Sequence, residues 1–357
     1  MKKELTLMKG NEALAEAVIR AGCDGYFGYP ITPQSEILEY LTREANERTG
    51  MVVLQAESEV AAINMVYGAA CAGKKVMTSS SSPGISLMQE GISYIACAEL
   101  PCLIVNVVRG GPGLGTIQPS QGDYFQAVKG GGHGDYKLIV LAPSSVQEMV
   151  DFVPLSFDLA FKYRNPVMIL ADGALGQMME KVELFEPIPR KNNIEPWATV
   201  GKSKDRERNI ITSLHIEPEK MEQINLHLQK KYKEIEKNEV RFEMINCEDA
   251  EIVLVAFGLV ARICSKAAEL ARQKGIKVGV FRPITLFPFP YQQLNSIADK
   301  IKNFLVVEMN AGQMLEDVRL AVNGKTPIEF HGRMGGIVPS PDEILQKIEE
   351  IFIGEKV

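Results

Sequence analysis

The chain contains Tyr29-Pro30-Ile31-Thr32-Pro33-Gln34-Ser35, which follows the glycine- and aromatic-rich approach Gly25-Tyr26-Phe27-Gly28. Each proline fixes its own φ at about −65° and moves the residue before it out of the helical region, so we expect a rigid, extended backbone between them. Thr32 presents its hydroxyl and N–H from this frame, and Ser35 is placed to cap a following helix. A stiff turn that opens into a helix N-terminus suits an anionic ligand group, although a simple strand-to-helix connector would have the same spacing.

The composition limits the classes of protein to which the chain can belong. It has 357 residues, of which 46% are hydrophobic and 24% charged. This is an ordinary globular balance, and the length favours two or more domains. The net charge of −6 gives no reason to expect a nucleic acid or a membrane surface as a partner. No apolar run approaches the roughly 18 residues of a membrane span, and residues 1–6 lack the apolar core of a signal peptide, so we expect a cytoplasmic protein.

The six cysteines form no CxxC pair, and none has a histidine at the spacing of a zinc site. The sequence contains no iron–sulfur cluster motif either. Most of the cysteines lie among apolar residues, which favours buried free thiols. Redox chemistry, if the protein takes part in it, must therefore use a metal or cluster carried elsewhere.

The first half of the chain alternates amphipathic and apolar segments. The pattern predicts helices at residues 11–21, 59–72 and 144–161, the last with Ser144 or Ser145 as its cap. Short apolar runs bounded by Gly, Pro or Ser predict buried strands, which lie at residues 75–79, 102–108, 137–142 and 166–171. Strands that alternate with helices in this way predict an α/β fold with a parallel sheet and helices on both faces.

The character of the sequence changes after Pro187. Residues 190–249 are polar and charged, which predicts a surface linker with one exposed amphipathic helix at 221–240. A second α/β set follows, with strands at 252–256, 278–282, 304–308 and 328–331 and helices at 261–274 and 340–352. We therefore divide the chain into a domain of residues 1–187, a linker of residues 188–249 and a domain of residues 250–357.

Two acidic residues, Glu57 and Glu59, lie where the apolar stretch 51–54 meets an alanine-rich helix. The helix dipole alone favours acidic residues at this position, and that explanation suffices for one of the two. Glu59 opens a helix face that also carries Ala62 and Val66. Its carboxylate is therefore directed towards an apolar interior, where it could share a proton with a ligand nitrogen.

A glycine-rich loop, Arg109-Gly110-Gly111-Pro112-Gly113-Leu114-Gly115-Thr116, follows the strand at 102–108. It lacks the third glycine and the immediate helix of a dinucleotide-binding fingerprint, so its glycines are better explained by close approach of the backbone to a ligand. Arg109 stands at the carboxyl edge of a parallel strand, where α/β sheets bind ligands, and arginine can grip a carboxylate with two hydrogen bonds. An ion pair with an acid such as Asp123 is the structural alternative.

The serine run Ser79-Ser80-Ser81-Ser82 follows another strand and precedes Pro83-Gly84. Its hydroxyls could line a polar pocket or cap the next helix, and the sequence does not separate these alternatives. Asp172-Gly173, with Asn192-Asn193 downstream, faintly resembles the Gly-Asp-Gly…Asn motif that binds Mg²⁺ and the diphosphate of thiamine diphosphate. We discount this match because Ala171 replaces the leading glycine and the asparagines fall in the charged linker.

Together these features resemble the α-type chain of the 2-oxoacid:ferredoxin oxidoreductases. The resemblance covers nearly the full length and rests on a combination of motifs, namely Tyr29-Pro30-Ile31-Thr32-Pro33, Glu59 before Gly68-Ala69-Ala70, Ser82-Pro83-Gly84-Ile85-Ser86-Leu87-Met88-Gln89-Glu90, the Arg109 loop and Val307-Glu308-Met309-Asn310-Ala311-Gly312-Gln313. Within the family, the features that look closest to the 3-methyl-2-oxobutanoate (2-ketoisovalerate) enzyme are Gln55-Ala56-Glu57-Ser58-Glu59, the serine run and the Arg109 loop. The α chain of the 2-oxoglutarate enzyme is the alternative within the family.

The resemblance implies a thiamine-diphosphate-binding-like pyrimidine domain followed by a transketolase C-terminal-like α/β domain. Glu59 matches the glutamate that hydrogen-bonds N1′ of the cofactor's aminopyrimidine, and Pro30 and Ile31 match residues beside the cofactor. Thr32 and Arg109 match residues that contact the 2-oxoacid. The resemblance therefore assigns catalytic roles to Glu59, Arg109 and Thr32.

The resemblance also implies partner chains. A β-type subunit would hold the diphosphate, Mg²⁺ and a [4Fe-4S] cluster, beside a γ-type subunit and a small ferredoxin-like subunit with further clusters. The implied reaction is the oxidative decarboxylation of 3-methyl-2-oxobutanoate with coenzyme A to isobutyryl-CoA, with electrons passed to ferredoxin. Two other hypotheses stay open. The chain could be a complete thiamine enzyme or another ligand-binding enzyme that acts alone, or it could be a non-catalytic assembly or regulatory scaffold.

Overall fold

The computed structural model describes residues 5–190, 194–202, 204 and 206–354. Its strands are β1 (Leu5–Lys9), β2 (Gly25–Gly28), β3 (Val52–Gln55), β4 (Val76–Ser80), β5 (Cys102–Val108), β6 (Ile139–Leu141), β7 (Pro166–Asp172), β8 (Met179–Glu183), β9 (Phe242–Ile245), β10 (Ile252–Val255), β11 (Val278–Pro283), β12 (Thr285–Phe287), β13 (Asn303–Glu308) and β14 (Ile328–Gly332). Its helices are α1 (Gly10–Arg20), α2 (Ser35–Thr49), α3 (Glu59–Cys71), α4 (Pro83–Cys97), α5 (Tyr124–Val128), α6 (Val146–Tyr163), α7 (Gly173–Gln177), α8 (Pro218–Asn238), α9 (Gly258–Gln273), α10 (Tyr291–Ala298), α11 (Gln313–Val322) and α12 (Pro341–Gly354). No helix among these residues combines the length and the apolar character that crossing a membrane requires.

The first sheet has seven strands in the order β12-β6-β7-β5-β4-β2-β3. The strands from β2 to β7 pair in parallel, and β12 joins one edge antiparallel. Every residue of β4, β5 and β7 is buried, as expected when helices cover both faces of a parallel sheet. The predicted α/β class is therefore confirmed, and the apolar run at 102–108 coincides with β5.

Helices cover the two faces of this sheet unequally. α1, α2 and α6 pack on one face together with Leu103 and Val105 of β5, whereas α3 and α4 pack on the other with Ile104. Successive strand residues point to opposite faces, which explains this alternation. At the contact between α3 and α4, a methyl group on Gly91 would lie 2.5 Å from Ile63 Cγ2, so these two helices approach closely.

The strand order places a topological switch between β4 and β2, near the β3 edge of the sheet. From β2 the chain runs through α2 to β3 on one side, and it then returns to form β4 on the other side of β2. The connection that leaves β2 therefore runs towards one edge of the sheet, to β3, and the connection that leaves β4 runs in the opposite direction, to β5. In open α/β sheets, the crevice at such a point, beyond the carboxyl ends of the strands, is where ligands bind.

The second sheet has the order β14-β13-β10-β11-β9, and β9 is its only antiparallel strand among the described residues. Two strands connect it to the rest of the molecule. β9 lies inside the predicted linker but pairs with β11, and β12 leaves the second half of the chain to pair with β6. The apolar core is continuous from the α3–α4 face of the first sheet to Phe281 and Phe304 of the second.

Helix α8 is amphipathic, as predicted, but the expectation that it is exposed needs correction. Leu228, Tyr232 and Ile235 are buried against the core of the first sheet, and Lys231 is also buried. These side chains recur at helical spacing and form one stripe on the helix. The sequence predicts an exposed helix because most of the residues around this stripe are charged or polar.

Candidate active site

The turn after β2 departs from its predicted shape. The Thr32–Pro33 peptide is cis, and the N–H of Gln34 donates to the carbonyl of Ile31 at 3.0 Å, so the chain turns here instead of remaining extended. Helix α2 begins at Ser35, its cap position is Gln34, and no side chain caps it. The prediction that Ser35 caps this helix was therefore wrong, as was the extended backbone.

A buried polar network fixes this turn to the end of β4. Gln34 accepts a hydrogen bond from Ser79 Oγ at 2.6 Å, and the hydroxyls of Ser79 and Tyr26 lie 2.9 Å apart. The network leaves Thr32 and Pro30 exposed on the carboxyl side of the sheet. Ile31, the other predicted cofactor-side residue, is half-buried.

Glu59 is the first residue of α3, and only 6% of it is exposed, whereas Glu57 is exposed. Ser58 caps the helix, because its hydroxyl accepts from the N–H of Ala61 at 3.2 Å, so Glu59 is not needed for capping. In the part of the chain that the structure describes, no donor bonds the Glu59 carboxylate and no cation pairs with it. The Glu59 carboxylate is therefore free to accept a hydrogen bond from a ligand that enters beside it.

The serine run lines the edge of the sheet rather than capping a helix. Ser82 stands at the cap position of α4, but its side chain makes no capping bond and instead exchanges hydrogen bonds with the N–H (3.1 Å) and carbonyl (3.2 Å) of Arg109. The hydroxyls of Thr78, Ser80 and Ser81 are buried and have no hydrogen-bond partner among the described residues. Of the two alternatives left open by the sequence, the polar pocket is the one supported.

Gly84, in the first turn of α4, lets Ser80 and Glu59 pack closely against the helix. A methyl group on this glycine would overlap Ser80 Oγ and would lie 2.7 Å from Glu59 Oε1 and 3.1 Å from Glu59 Cγ. Ser80 and Glu59 therefore pack against the same glycine, where a side chain would displace them.

Arg109 connects two loops at this edge. Its Nη1 donates to the carbonyl of Thr32 and its Nη2 to the carbonyl of Leu114, both at 2.9 Å, while its Nε is buried without a partner. The alternative ion pair with Asp123 is not formed, since Asp123 accepts from Asn106 Nδ2 at 2.8 Å and burial raises the pKa of its carboxyl. No carboxylate among the described residues neutralises Arg109, so its charge is available to an anion.

The glycine-rich loop is compact. Gly115 has a φ of 60°, and a side chain on it would overlap the carbonyl of Gly110, which accepts from the N–H of Thr116 at 2.8 Å. Leu114 at the tip is 82% exposed. The loop therefore presents an apolar tip next to the Arg109 guanidinium.

The motif around Glu308 has a structural role away from this edge. The buried Glu308 carboxylate accepts from the N–H groups of Met314 (2.8 Å) and Leu315 (3.0 Å) at the start of α11, and burial raises its pKa to about 7. The neighbouring Asn310 donates to the carbonyl of Gln121 at 2.9 Å and so connects the two sheets. This motif therefore connects the second sheet to the loop that carries Gln121.

Asp172 is likewise committed to structure. Its Oδ1 accepts from the N–H groups of Ala174 (2.9 Å) and Leu175 (3.1 Å), and burial raises its pKa to about 6. This capping role agrees with discounting Asp172-Gly173 as a diphosphate motif. Asn192 and Asn193, the other half of that faint match, lie outside the described residues.

A cavity of about 570 Å³ lies elsewhere, between residues 128–137, the end of α8 and residues 286–293. Its wall includes Lys129, Lys137 and Tyr291, and it shares no residue with the edge that carries Glu59 and Arg109. Size alone therefore does not identify the site.

The structure thus gathers the predicted residues at the switch point between β2 and β4. A buried carboxylate, buried hydroxyls, a fixed guanidinium and the exposed Thr32 can together hold a ligand nitrogen and an anionic substrate. Sequence reasoning proposed Glu59, Arg109 and Thr32 as site residues, and it named Ser80 and Gly84 within the serine run without giving either a role. The serine run and the Pro83-Gly84 pair were the available signals, but they did not show which hydroxyl meets Glu59.

Two family models match the chain. Residues 16–246 match the thiamine-diphosphate-binding part of the pyruvate flavodoxin/ferredoxin oxidoreductases, and residues 250–344 match core domain II of pyruvate:ferredoxin oxidoreductase. Together the two models span both sheets.

Relatives extend this similarity over the whole chain. The ketoisovalerate oxidoreductase subunit VorB of Methanothermobacter thermautotrophicus is 52% identical over 345 residues, which is 97% of each chain. The 2-oxoglutarate synthase subunit KorA of Methanocaldococcus jannaschii is 36% identical over 96% of this chain and 98% of its own. Among solved structures, the 2-oxoglutarate:ferredoxin oxidoreductase of Magnetococcus marinus, with 2-oxoglutarate, coenzyme A and succinyl-CoA bound, superposes with a TM-score of 0.86 at 28% identity, over 98% of this chain and 65% of the other.

Proposed function

The chain belongs to the pyruvate flavodoxin/ferredoxin oxidoreductase family, and from this premise we propose that it is a subunit of a thiamine-diphosphate-dependent 2-oxoacid:ferredoxin oxidoreductase. The proposed reaction converts 3-methyl-2-oxobutanoate and coenzyme A to isobutyryl-CoA and carbon dioxide, with two electrons passed to ferredoxin. The choice of substrate is supported by the identity of 52% to a ketoisovalerate oxidoreductase subunit, against 36% to a 2-oxoglutarate synthase subunit.

The observation that carries the proposal is the buried, unpartnered carboxylate of Glu59. The chemistry of the residues around it fits an aminopyrimidine ring, because the carboxylate has no protein partner and the Ser80 hydroxyl, which packs against Gly84 beside it, lacks one as well. When bound, thiamine diphosphate supplies the chemistry that makes the decarboxylation of a 2-oxoacid possible. In this proposal Glu59 holds a proton at ring nitrogen N1′, while Pro30 and Ile31 lie beside the ring.

Arg109 and Thr32 hold the 2-oxoacid in the proposal. Two carbonyls already fix the Arg109 guanidinium, so little side-chain entropy is lost when it meets the substrate carboxylate. The exposed Thr32 hydroxyl belongs to the turn that Arg109 anchors, so the same contact positions both groups. Both residues thereby orient the anion next to Glu59.

Partner chains complete the site in the proposal. Exposed apolar side chains flank Glu59 on α3 and α4, with Val60 46%, Met65 37% and Leu87 55% exposed, and a face of this kind is suited to a protein partner. We assign this face to a β-type subunit that holds the diphosphate, Mg²⁺ and a [4Fe-4S] cluster. A γ-type subunit and a small ferredoxin-like subunit complete the proposed assembly.

The test replaces Glu59 in the complex purified with its partner subunits. We expect Glu59→Gln to abolish acyl-CoA formation while the complex still assembles, because an amide cannot hold and return the ring proton. Glu57→Gln is the matched control, since Glu57 is an exposed neighbour of the same type, and it should retain wild-type turnover. Near-wild-type turnover in Glu59→Gln would refute the role of Glu59 and favour a scaffold.

Two further assays limit the proposal. A panel of 3-methyl-2-oxobutanoate, 2-oxoglutarate and pyruvate on the wild-type complex should give the highest kcat/KM for the branched-chain acid. The purified chain alone, supplied with thiamine diphosphate, Mg²⁺, substrate and an electron acceptor, should be inactive. Activity without partners would contradict a site shared between chains.

A further inference from the structure

One hydroxyl next to Glu59 is assigned no specific contact in the function proposed above. Ser80 Oγ stands at the carboxyl end of β4, has no exposed surface and has no hydrogen-bond partner among the described residues. The preceding Ser79 is different, because its hydroxyl is bonded to Gln34. A buried hydroxyl without a partner carries a desolvation cost, so Ser80 is a candidate for a contact that forms in the assembled enzyme.

The geometry identifies Glu59 as the group that this hydroxyl can reach. Ser80 Oγ and Glu59 Oε1 are the two atoms nearest to a methyl group built on Gly84, so both pack against this glycine and lie close to each other. Each lacks a hydrogen-bond partner in the described part of the chain. The hydroxyl can donate and the carboxylate can accept, so the two groups are chemically matched.

We propose that Ser80 is a positioning residue whose hydroxyl donates a hydrogen bond to the Glu59 carboxylate and holds it in the orientation that meets the cofactor. This inference rests on the proposed function and deepens it. A hydrogen bond from a neutral hydroxyl to a carboxylate is stronger than one between neutral groups. Ser80 thus orients Glu59 without adding a charge that would compete with the ring for the proton.

Two variants separate the hydroxyl from its volume. Ser80→Ala removes the donor, and Ser80→Cys fills the space but provides only a weak donor. Ser156→Ala is the matched control, because Ser156 is also fully buried with an unpartnered hydroxyl but lies on α6, on the opposite face of the sheet from α3. Removal of an unsatisfied buried hydroxyl should leave folding stability nearly unchanged in all three variants.

The measurements use the complex with its partner subunits. Calorimetry with Mg²⁺ gives the affinity for thiamine diphosphate, and steady-state kinetics give kcat and KM for 3-methyl-2-oxobutanoate. We expect Ser80→Ala and Ser80→Cys to weaken cofactor binding and to lower kcat, each about tenfold, with an unchanged KM for the 2-oxoacid. Ser156→Ala should match the wild-type enzyme in every measurement.

Three results would overturn the proposal. Wild-type affinity and kcat in both Ser80 variants would show that the hydroxyl has no role. Wild-type behaviour of Ser80→Cys beside an impaired Ser80→Ala would assign the effect to volume, and failure of both variants to assemble would assign Ser80 to packing. A wild-type complex that neither binds thiamine diphosphate nor oxidises a 2-oxoacid would instead refute the proposed function itself.

Discussion

Replacing Gln121 tests how the second domain is held against the loops of the candidate site. Gln121 is buried; its Nε2 donates to the carbonyl of Phe257 at 2.9 Å and its Oε1 accepts from the N–H of Met309 at 2.9 Å. Its backbone adds bonds to the carbonyl of Met309 (3.1 Å) and from Asn310 Nδ2 (2.9 Å). We call this set of contacts the Gln121 clasp.

The expected cost of Gln121→Ala follows from the two side-chain bonds. Each loss leaves one buried backbone group of Phe257 or Met309 without a partner, at about 1–3 kcal/mol per group. The free energy of unfolding should therefore fall by about 4 kcal/mol, a large share of the roughly 5–15 kcal/mol of a typical domain. The backbone bonds of the clasp are unaffected by the substitution.

Gln147 offers a matched control. It makes the same kind of pair, donating to the carbonyl of Glu183 at 3.0 Å and accepting from its N–H at 2.8 Å, but it is only half-buried. Because water can replace these bonds, Gln147→Ala should cost about 1 kcal/mol or less. Urea unfolding of the full chain measures both variants, and equal losses for Gln121→Ala and Gln147→Ala would refute the reasoning.

Removing the guanidinium in Arg109→Met should cost about 2–4 kcal/mol of transition-state stabilisation. In steady-state assays of the complex, kcat/KM for 3-methyl-2-oxobutanoate should therefore fall tens- to hundreds-fold, and an unchanged value would exclude a substrate contact. The pKa of Glu308 is about 7 in the folded chain, against an ordinary value of 4.5. Between these two pH values Glu308 is protonated in the folded chain but ionised in the unfolded chain. The contribution of Glu308 to the free energy of unfolding should therefore fall by about 3 kcal/mol as the pH rises from about 5 to above 7. Glu308→Gln should remove this fall, as measured by urea unfolding at pH 5 and pH 8, and an equal pH dependence in both proteins would contradict it. Gly91→Ala should lower the free energy of unfolding by about 2 kcal/mol, because the methyl would lie 2.5 Å from Ile63 Cγ2. Gly68→Ala on α3, where nothing lies within 4 Å of the added methyl, should raise it by about 1 kcal/mol. Thermal unfolding that ranks these two variants in the opposite order would contradict the packing argument.

The local sequence pattern was sufficient to predict the structure of segments whose conformation depends mainly on their own residues. The run at 102–108 is apolar except for Asn106 and forms β5, and Ser145 caps α6 by accepting from the N–H of Glu148 at 3.1 Å, one of the two caps predicted. The burial of Glu59 was predicted for the same reason, since helical spacing aligned it with Ala62 and Val66 on the face that is buried. Such features depend on contacts within a few residues along the chain.

Features that depend on distant partners were predicted incorrectly or left open. The turn at residues 31–34 is held by Asn11 and Gln177, both of which donate to the carbonyl of Pro33, at 2.7 and 3.1 Å. Arg109 bonds to the carbonyl of Thr32, 77 positions away, instead of Asp123. These partners become neighbours only when strands far apart in the chain lie side by side.

The sequence by itself therefore determined the α/β class, the order of most elements and the residue types of the candidate site, since period and composition act locally. Only the tertiary structure decided which hydroxyl of the serine run faces Glu59, which carbonyls hold Arg109, and that α8 is buried along one stripe. The physical reason is that hydrogen-bond satisfaction and burial are properties of the packed chain. A donor's partner is set by which strands the sheet brings together, and no local pattern records that order.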